Sequence, residues 1–323
     1  MGWLRAPEGV GSLVSVWKDP SFPYRLVGDG WTWTDGQGSS AGVAIRRARH
    51  GKDRLIRLGI VRDVTGVLPP DVLWPWAEAE GLEALVCESP AGSVAPAAPE
   101  GRAWVELGKV QQLRRVPLWR TFHIPGHKVH RVNPGDAQAL AMHLEAHREG
   151  LALSPTVSPE AFLEGLALCP GLTLDHFRMV RRDGTLVALA GIWMPGDFHR
   201  GDAPGPGPAT NVLLRLGSML GRRSPWPPHV PGDRGQVGFV RVLAYKEGQA
   251  DAVALLLSAL AADMRRWGIR QLGINLGTDD PVAGLLPGGP SQVRRRTLWY
   301  AGLTEETQQP PAGLVDPNLL DPW

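Results

Sequence analysis

Residues 238–277, GFVRVLAYKEGQADAVALLLSALAADMRRWGIRQLGINLG, carry the pattern that decides the fold. Val240, Val242 and Ala244 alternate with Arg241, Leu243 and Tyr245, the two-residue period of a strand covered on at least one face. A tight turn follows. Val253, Leu256, Leu257, Leu260, Met264 and Trp267 then recur at helical spacing. Gly268 is a stop signal, and residues 271–276 read as the next strand. A helix that starts straight after a strand turns its first free N–H groups toward whatever occupies the turn. That arrangement suits a phosphate or pyrophosphate.

The flanking segments extend the pattern. Residues 175–194, DHFRMVRRDGTLVALAGIWM, form two β-rich runs around Arg182-Asp183-Gly184, a hairpin signal. Residues 130–149 are helical in pattern. So are residues 158–168, where Ser158 is an N-cap and Pro159 the first helical position. After residue 277 come Asp279-Asp280-Pro281, a short helix to Leu286 and a final strand over 296–303.

With this order in place, residues 128–305 resemble the GNAT superfamily of acyl-CoA-dependent N-acyltransferases. The local phrases that carry the resemblance are SPEAFLEGLALCPG, RRDGTLVALAGIW, the strand-turn-helix at 238–267 and RRRTLWYAGL. The resemblance implies an α/β (α+β) fold of mixed sheets flanked by helices. It implies acetyl-CoA or another acyl-CoA as cosubstrate and a small amine or amino-acid-like acceptor. The cofactor would be bound at Ala244, Lys246, Gly248, Gln249 and Ala250, with the pyrophosphate on backbone amides of 246–250 and the pantetheine arm entering where strand 238–245 splays from strand 271–276.

The family's phosphate turn reads Gln/Arg-x-x-Gly-x-Gly/Ala, whereas this chain has Lys246-Glu247-Gly248-Gln249-Ala250-Asp251. Glu247 and Asp251 would repel a pyrophosphate, and Lys246 offsets part of that. The structural alternative is a capped helix start in which Asp251 complements the helix dipole with no ligand.

The resemblance also implies direct attack of an amine on a thioester, with an oxyanion held by an amide in 244–246. Asn275 would bond the pantetheine or a water. A tyrosine often protonates the leaving thiolate in this family, from the helix after the second strand. Residues 280–286 contain none, which leaves Tyr300 and Tyr245 as candidates. Glu145, His147, Glu149 and Glu164 are candidate bases by topology alone. An aromatic acceptor pocket would use Trp193 and Trp299, although anchoring a core is the ordinary use of tryptophan.

The N-terminal half reads as a truncated copy of the same pattern. Residues 40–47 and 54–61 are strands around His50-Gly51-Lys52-Asp53. Residues 62–66 form a turn, 69–80 a short helix and 82–87 a strand, with closing strands over 104–120. An internal duplication follows. The expected division is a degenerate domain over 1–125, without cofactor, and an acyltransferase domain over 126–323. A catalytically silent tandem binding module is the alternative to an enzyme.

The chain has 323 residues, 43% of them hydrophobic, enough for two packed cores. A net charge of +2 favours neither nucleic acid nor a membrane surface. The basic run Arg294-Arg295-Arg296 opens a strand, where a solvated end is the ordinary reading. Cys87 and Cys169 make no framework and suit core packing. No apolar run approaches the roughly 20 residues that span a bilayer, and the first residues lack a signal-peptide pattern, so the cytoplasm is expected. His143 and His147 stand at i,i+4, but HLEAH is not HExxH, and no metal is expected. Residues 195–234 form a Pro/Gly-rich insertion around a short helical run, 211–220, suited to a lid or a passive loop.

Overall fold

The computed structural model describes residues 4–5, 12–15, 30–34, 40–51, 54–62, 70–115, 123–156, 158–168, 172–193, 236–267, 269–285 and 291–317. The insertion at 195–234, Cys169, Gly268 and the turn at 63–66 lie outside them. In chain order the strands begin with β1 (Leu4–Arg5), β2 (Ser12–Ser15), β3 (Gly30–Thr34), β4 (Ser40–Arg49) and β5 (Leu55–Arg62). Helix α1 (Pro70–Ala79) precedes β6 (Ala84–Pro90), β7 (Val105–Arg115) and β8 (His127–Arg131). Then come α2 (Ala137–Arg148), β9 (Leu151–Ala152), α3 (Pro159–Leu168), β10 (Phe177–Arg182) and β11 (Thr185–Trp193). The chain continues with β12 (Gln236–Tyr245), α4 (Ala250–Arg266), β13 (Ile269–Gly277), α5 (Val282–Leu285), β14 (Ser291–Gly302) and β15 (Leu314–Val315). The fold is mixed α/β, with strands of both orientations and helices packed against them. Among the described residues no helix is long and apolar enough to cross a membrane.

Two compact units divide the chain. One holds Met1–Gln111, Glu145–Cys169 and Arg294–Trp323; the other holds Gln112–Leu144 and Pro170–Val293. This differs from a single cut at 125/126. The physical reason is β14, which pairs antiparallel with β6 from Arg296↔Pro90 to Gly302↔Ala84 and so returns the C-terminal strand to the first unit.

In the first unit, β2 to β5 are successive antiparallel neighbours. Strand β6 lies parallel to β5. Residue alternation puts one core on each face. Val61, Leu85, Cys87 and Ala301 pack with Leu73, Trp74, Trp76 and Ala77 of α1. Leu58, Ile60, Ala84, Val86, Leu298 and Tyr300 pack on the other face with Leu153. A one-residue slip would exchange the two sets, so the alternation itself holds the register.

The second unit is built on β8, β10, β11, β12 and β13, neighbours in the order β13-β12-β11-β10-β8. The first four are antiparallel in succession and β13 lies parallel to β12. At the β10–β11 hairpin, Asp183 (φ 49°) and Gly184 (φ 81°) both have positive φ, the two-residue turn whose twist matches the strands. The core is the apolar stripe of α4, from Val253 through Leu256, Leu257 and Leu260 to Met264, against Val180, Ala188, Ala190, Ile192, Val240 and Ile274. Periodicity alone begins a helix near His130, yet His127–Arg131 is β8 and α2 starts at Ala137. Pairing with β10, from Arg131↔Arg178 to His127↔Arg182, overrides the local helical pattern there.

Candidate functional site

Strands β12 and β13 run parallel, but their ladder is short. It extends from Gln236↔Ile269 to Phe239↔Gly273, while β12 continues to Tyr245 and β13 to Gly277. The two strands therefore part over their C-terminal halves. Two local features accompany the parting. The Phe239 ring lies over Gly273, where a Cβ would stand 2.6 Å from the ring. Next to it, Gly191 pairs with Val242 and Ile192 with Val240, which leaves Arg241 as an extra residue in β12. A bulge of this kind bends the strand that carries it and increases its twist. Beyond the bulge β12 follows β11 rather than β13. The corresponding pair in the first unit stays together: β5 and β6 remain laddered to Val61↔Cys87, one residue before β5 ends.

Backbone direction along the parted half follows from one bond. The Lys246 amide donates to Val187 O at 2.9 Å. Antiparallel pairs alternate between bonded and non-bonded, so the amide of Ala244, opposite Leu189, also faces β11. Leu243 and Tyr245 then direct their N–H and C=O groups to the side on which the ladder with β13 has ended.

The turn between β12 and α4 is closed by Gln249 N donating to Lys246 O at 3.0 Å, and Gly248 adopts φ +73°. The amides of Glu247, Gly248, Ala250 and Asp251 have no backbone acceptor among the described residues. A Cβ on Gly248 would meet nothing within 4 Å, so the turn has open space above it. Of the five positions expected to present amides here, Gly248 and Ala250 have them available. Lys246 and Gln249 spend theirs on the turn and on β11, and Ala244 faces β11. Asp251 Oδ1 accepts from Ala252 N at 2.9 Å within the first turn of α4, where its charge complements the helix dipole.

Tyr245 ends β12 and donates its hydroxyl to Asp280 Oδ1, 3.1 Å away and just past the end of β13. The same carboxylate oxygen accepts from Val282 N at 2.8 Å at the start of α5. Burial, and then the Asp280 charge, push the Tyr245 phenol above its ordinary range, so it remains a neutral donor. Asn275 on β13 accepts from Gln112 Nε2 at 3.3 Å.

The remaining candidates fall elsewhere. Tyr300 belongs to the first unit, is fully buried, and donates to Thr307 O at 2.8 Å; burial pushes its pKa up to about 12. Trp193 packs under Arg241, whose guanidinium carbon lies 5.8 Å from the ring centroid. Trp299 sits in the first unit and bonds Ser89 Oγ through Nε1 at 2.8 Å. Glu145 pairs with Arg49, also in the first unit. His143 is buried on α2. Sequence reading missed the Arg241 bulge, the Asp280 partner of Tyr245, and His127, whose Nε2 lies 3.1 Å from Gln249 Oε1 across 122 positions. None of these leaves a spacing signal, because each arises from strands that meet only in the fold.

No protein-family model matches this sequence, and no curated protein matches it. Among solved structures, a GCN5-related N-acetyltransferase from Anabaena variabilis aligns at TM-score 0.44 and 10% identity over 84% of this chain. This chain spans 62% of that protein's length. A GCN5-related N-acetyltransferase from Sphaerobacter thermophilus aligns at TM-score 0.45 and 11% identity, covering 89% of this chain and 82% of that one.

Proposed function

We propose that the protein is an acyl-CoA-dependent N-acyltransferase whose cosubstrate enters between β12 and β13. The observation that carries this reading is the parting of a parallel strand pair beside a turn with open amides. The gap side of β12 offers the peptide group of Leu243 to an extended, amide-bearing chain such as pantetheine. The diphosphate would lie on the amides of Gly248 and Ala250, where the helix dipole favours negative charge. The amine nitrogen of a small acceptor attacks the thioester carbonyl, the C–N bond forms as the C–S bond breaks, and the proton lost by the amine, relayed through solvent, balances the one taken up by the thiolate. Tyr245 serves this site by holding Asp280 rather than as the proton source, because burial, and then the Asp280 charge, disfavour its ionisation. Asn275 lies on β13, the other strand of the parted pair, as a further polar group. Tyr300 has no role in this reading.

The two units share one pairing scheme: four antiparallel strands in succession, a helix, and a fifth strand parallel to the fourth. We read the first as a copy that binds no cofactor, since its parallel pair does not open. A second functional reading, a silent binding module, is favoured by Glu247 standing exposed in the turn.

Titration calorimetry with acetyl-CoA separates the two. Gly248→Val is a poor probe, because a β-branched residue is strained at φ +73°. Gly248→Asp is better: Asp tolerates the left-handed region, its Cβ meets open space, and it adds a carboxylate where the diphosphate would sit. Affinity should fall at least tenfold, about 1.4 kcal/mol, with Gly248→Asn affected less. Equal affinity in Gly248→Asp and wild type would place the cosubstrate elsewhere. No heat with wild type would support the silent module.

A further inference from the structure

We propose that His127 is a proton-operated positioning residue for the turn at 246–249, acting through the side-chain amide of Gln249. His127 Nδ1 lies 3.0 Å from Pro125 O. A carbonyl only accepts, so Nδ1 carries a proton whether the ring is neutral or charged. Nε2, 3.1 Å from the Gln249 amide, is then the position that changes. In the imidazolium, Nε2–H donates to Gln249 Oε1, and the amide presents its NH2 group at the turn. In the neutral ring, Nε2 is an acceptor facing a carbonyl oxygen. The contact survives only if the amide turns over, donates its NH2 group to the ring, and presents its carbonyl instead. Proton uptake from solvent thus exchanges a donor for an acceptor next to the open amides of Gly248 and Ala250.

Charged groups of both signs neighbour the pair in sequence or across the strands. Lys128 neighbours His127 on β8, Arg182 stands opposite it on β10, and Lys246 lies in the turn. Asp183 follows Arg182, Glu247 lies in the turn, and Asp251 opens α4. Arg181 stands opposite Lys128, and the amide orientation sets whether a donor or an acceptor lies beside the turn. An anion at the turn is favoured while the ring holds its second proton, and the preference is lost when that proton leaves. That consequence for cosubstrate rests on the function proposed above; the amide reversal itself does not.

The test follows the imidazole nitrogens of His127 and the side-chain NH2 of Gln249 by 15N NMR between pH 5 and 8.5 on the full chain. It adds acetyl-CoA titrations at pH 5.5 and 8.0 for wild type, Gln249→Ala and His127→Asn. The Gln249 signals are expected to titrate together with His127 and to stop doing so in His127→Asn. Wild-type affinity is expected to fall with pH about fivefold more than that of Gln249→Ala. Protonation of the ligand's own phosphates is common to both proteins and cancels in the comparison. Gln249 signals that stay flat while His127 titrates would overturn the inference. So would identical pH slopes in wild type and Gln249→Ala. Co-titrating signals without any acetyl-CoA binding would uphold the switch and remove the cosubstrate reading.

Discussion

Asp263→Ala should lower the stability of the second unit by about 3–5 kcal/mol, the cost of leaving a buried charge unpaired. Asp263 sits on α4 and meets Arg178 of β10 at 2.5 Å, with side-chain exposures of 12% and 7%. Arg178 also donates to the carbonyls of Asp175 at 2.8 Å and Phe177 at 2.6 Å. Without the carboxylate, the guanidinium keeps these bonds but loses its counter-charge in a site closed to water. Replacing both partners, Arg178→Met with Asp263→Leu, should restore most of the loss, since a buried ion pair is worth little against apolar residues of similar volume. Urea unfolding with hydrogen exchange across α4 measures both variants without assuming that the two units unfold together. A loss below about 1 kcal/mol for Asp263→Ala would mean that water reaches the pair.

Gly302→Ala should be at least as damaging to the first unit, by about 3 kcal/mol or more. A Cβ on Gly302 would stand 1.9 Å from Thr307 O and 2.4 Å from its carbonyl carbon. That carbonyl has little freedom to retreat. It accepts from Tyr300 Oη at 2.8 Å, while Thr307 Oγ1 donates to Glu83 O at 2.5 Å and Leu303 N donates to the same oxygen at 2.8 Å. The strand end and the turn after it are one hydrogen-bonded piece, so the clash must be relieved by breaking part of it. Gly135→Ala, where nothing lies within 4 Å, is the control and should change stability by less than about 0.5 kcal/mol. Similar melting behaviour of the two variants would contradict the packing of Gly302 against Thr307.

The strand-turn-helix-strand at 238–277 was legible because its two periods change where the chain turns, and the structure places β12, α4 and β13 there. The Asp183-Gly184 hairpin was legible for a different reason: both positions need positive φ, and the residue types say so. The helix expected from His130 was not, because β8 exists only through its pairing with β10. The assignment of β14 to the first unit was equally hidden. Its alternation of Leu298 and Tyr300 with Trp299 and Ala301 marks a strand but does not say which neighbour it joins. At the site, the residue types in the turn pointed to free amides in general. Which amides are free depends on Lys246 bonding Val187 and on Gln249 closing the turn, and neither bond has a sequence signal. Tyr300 is a candidate by its chemistry and its place on the last expected strand, yet the fold buries it against Thr307 in the other unit.

The most direct test of the central claim is a crystal structure grown with saturating acetyl-CoA. The account predicts diphosphate oxygens within hydrogen-bond reach of the amides of Gly248 and Ala250. It also predicts a pantetheine chain running along the gap side of Leu243, between the parted ends of β12 and β13. A closed gap with the cosubstrate bound elsewhere, or no cosubstrate at saturation, would contradict it.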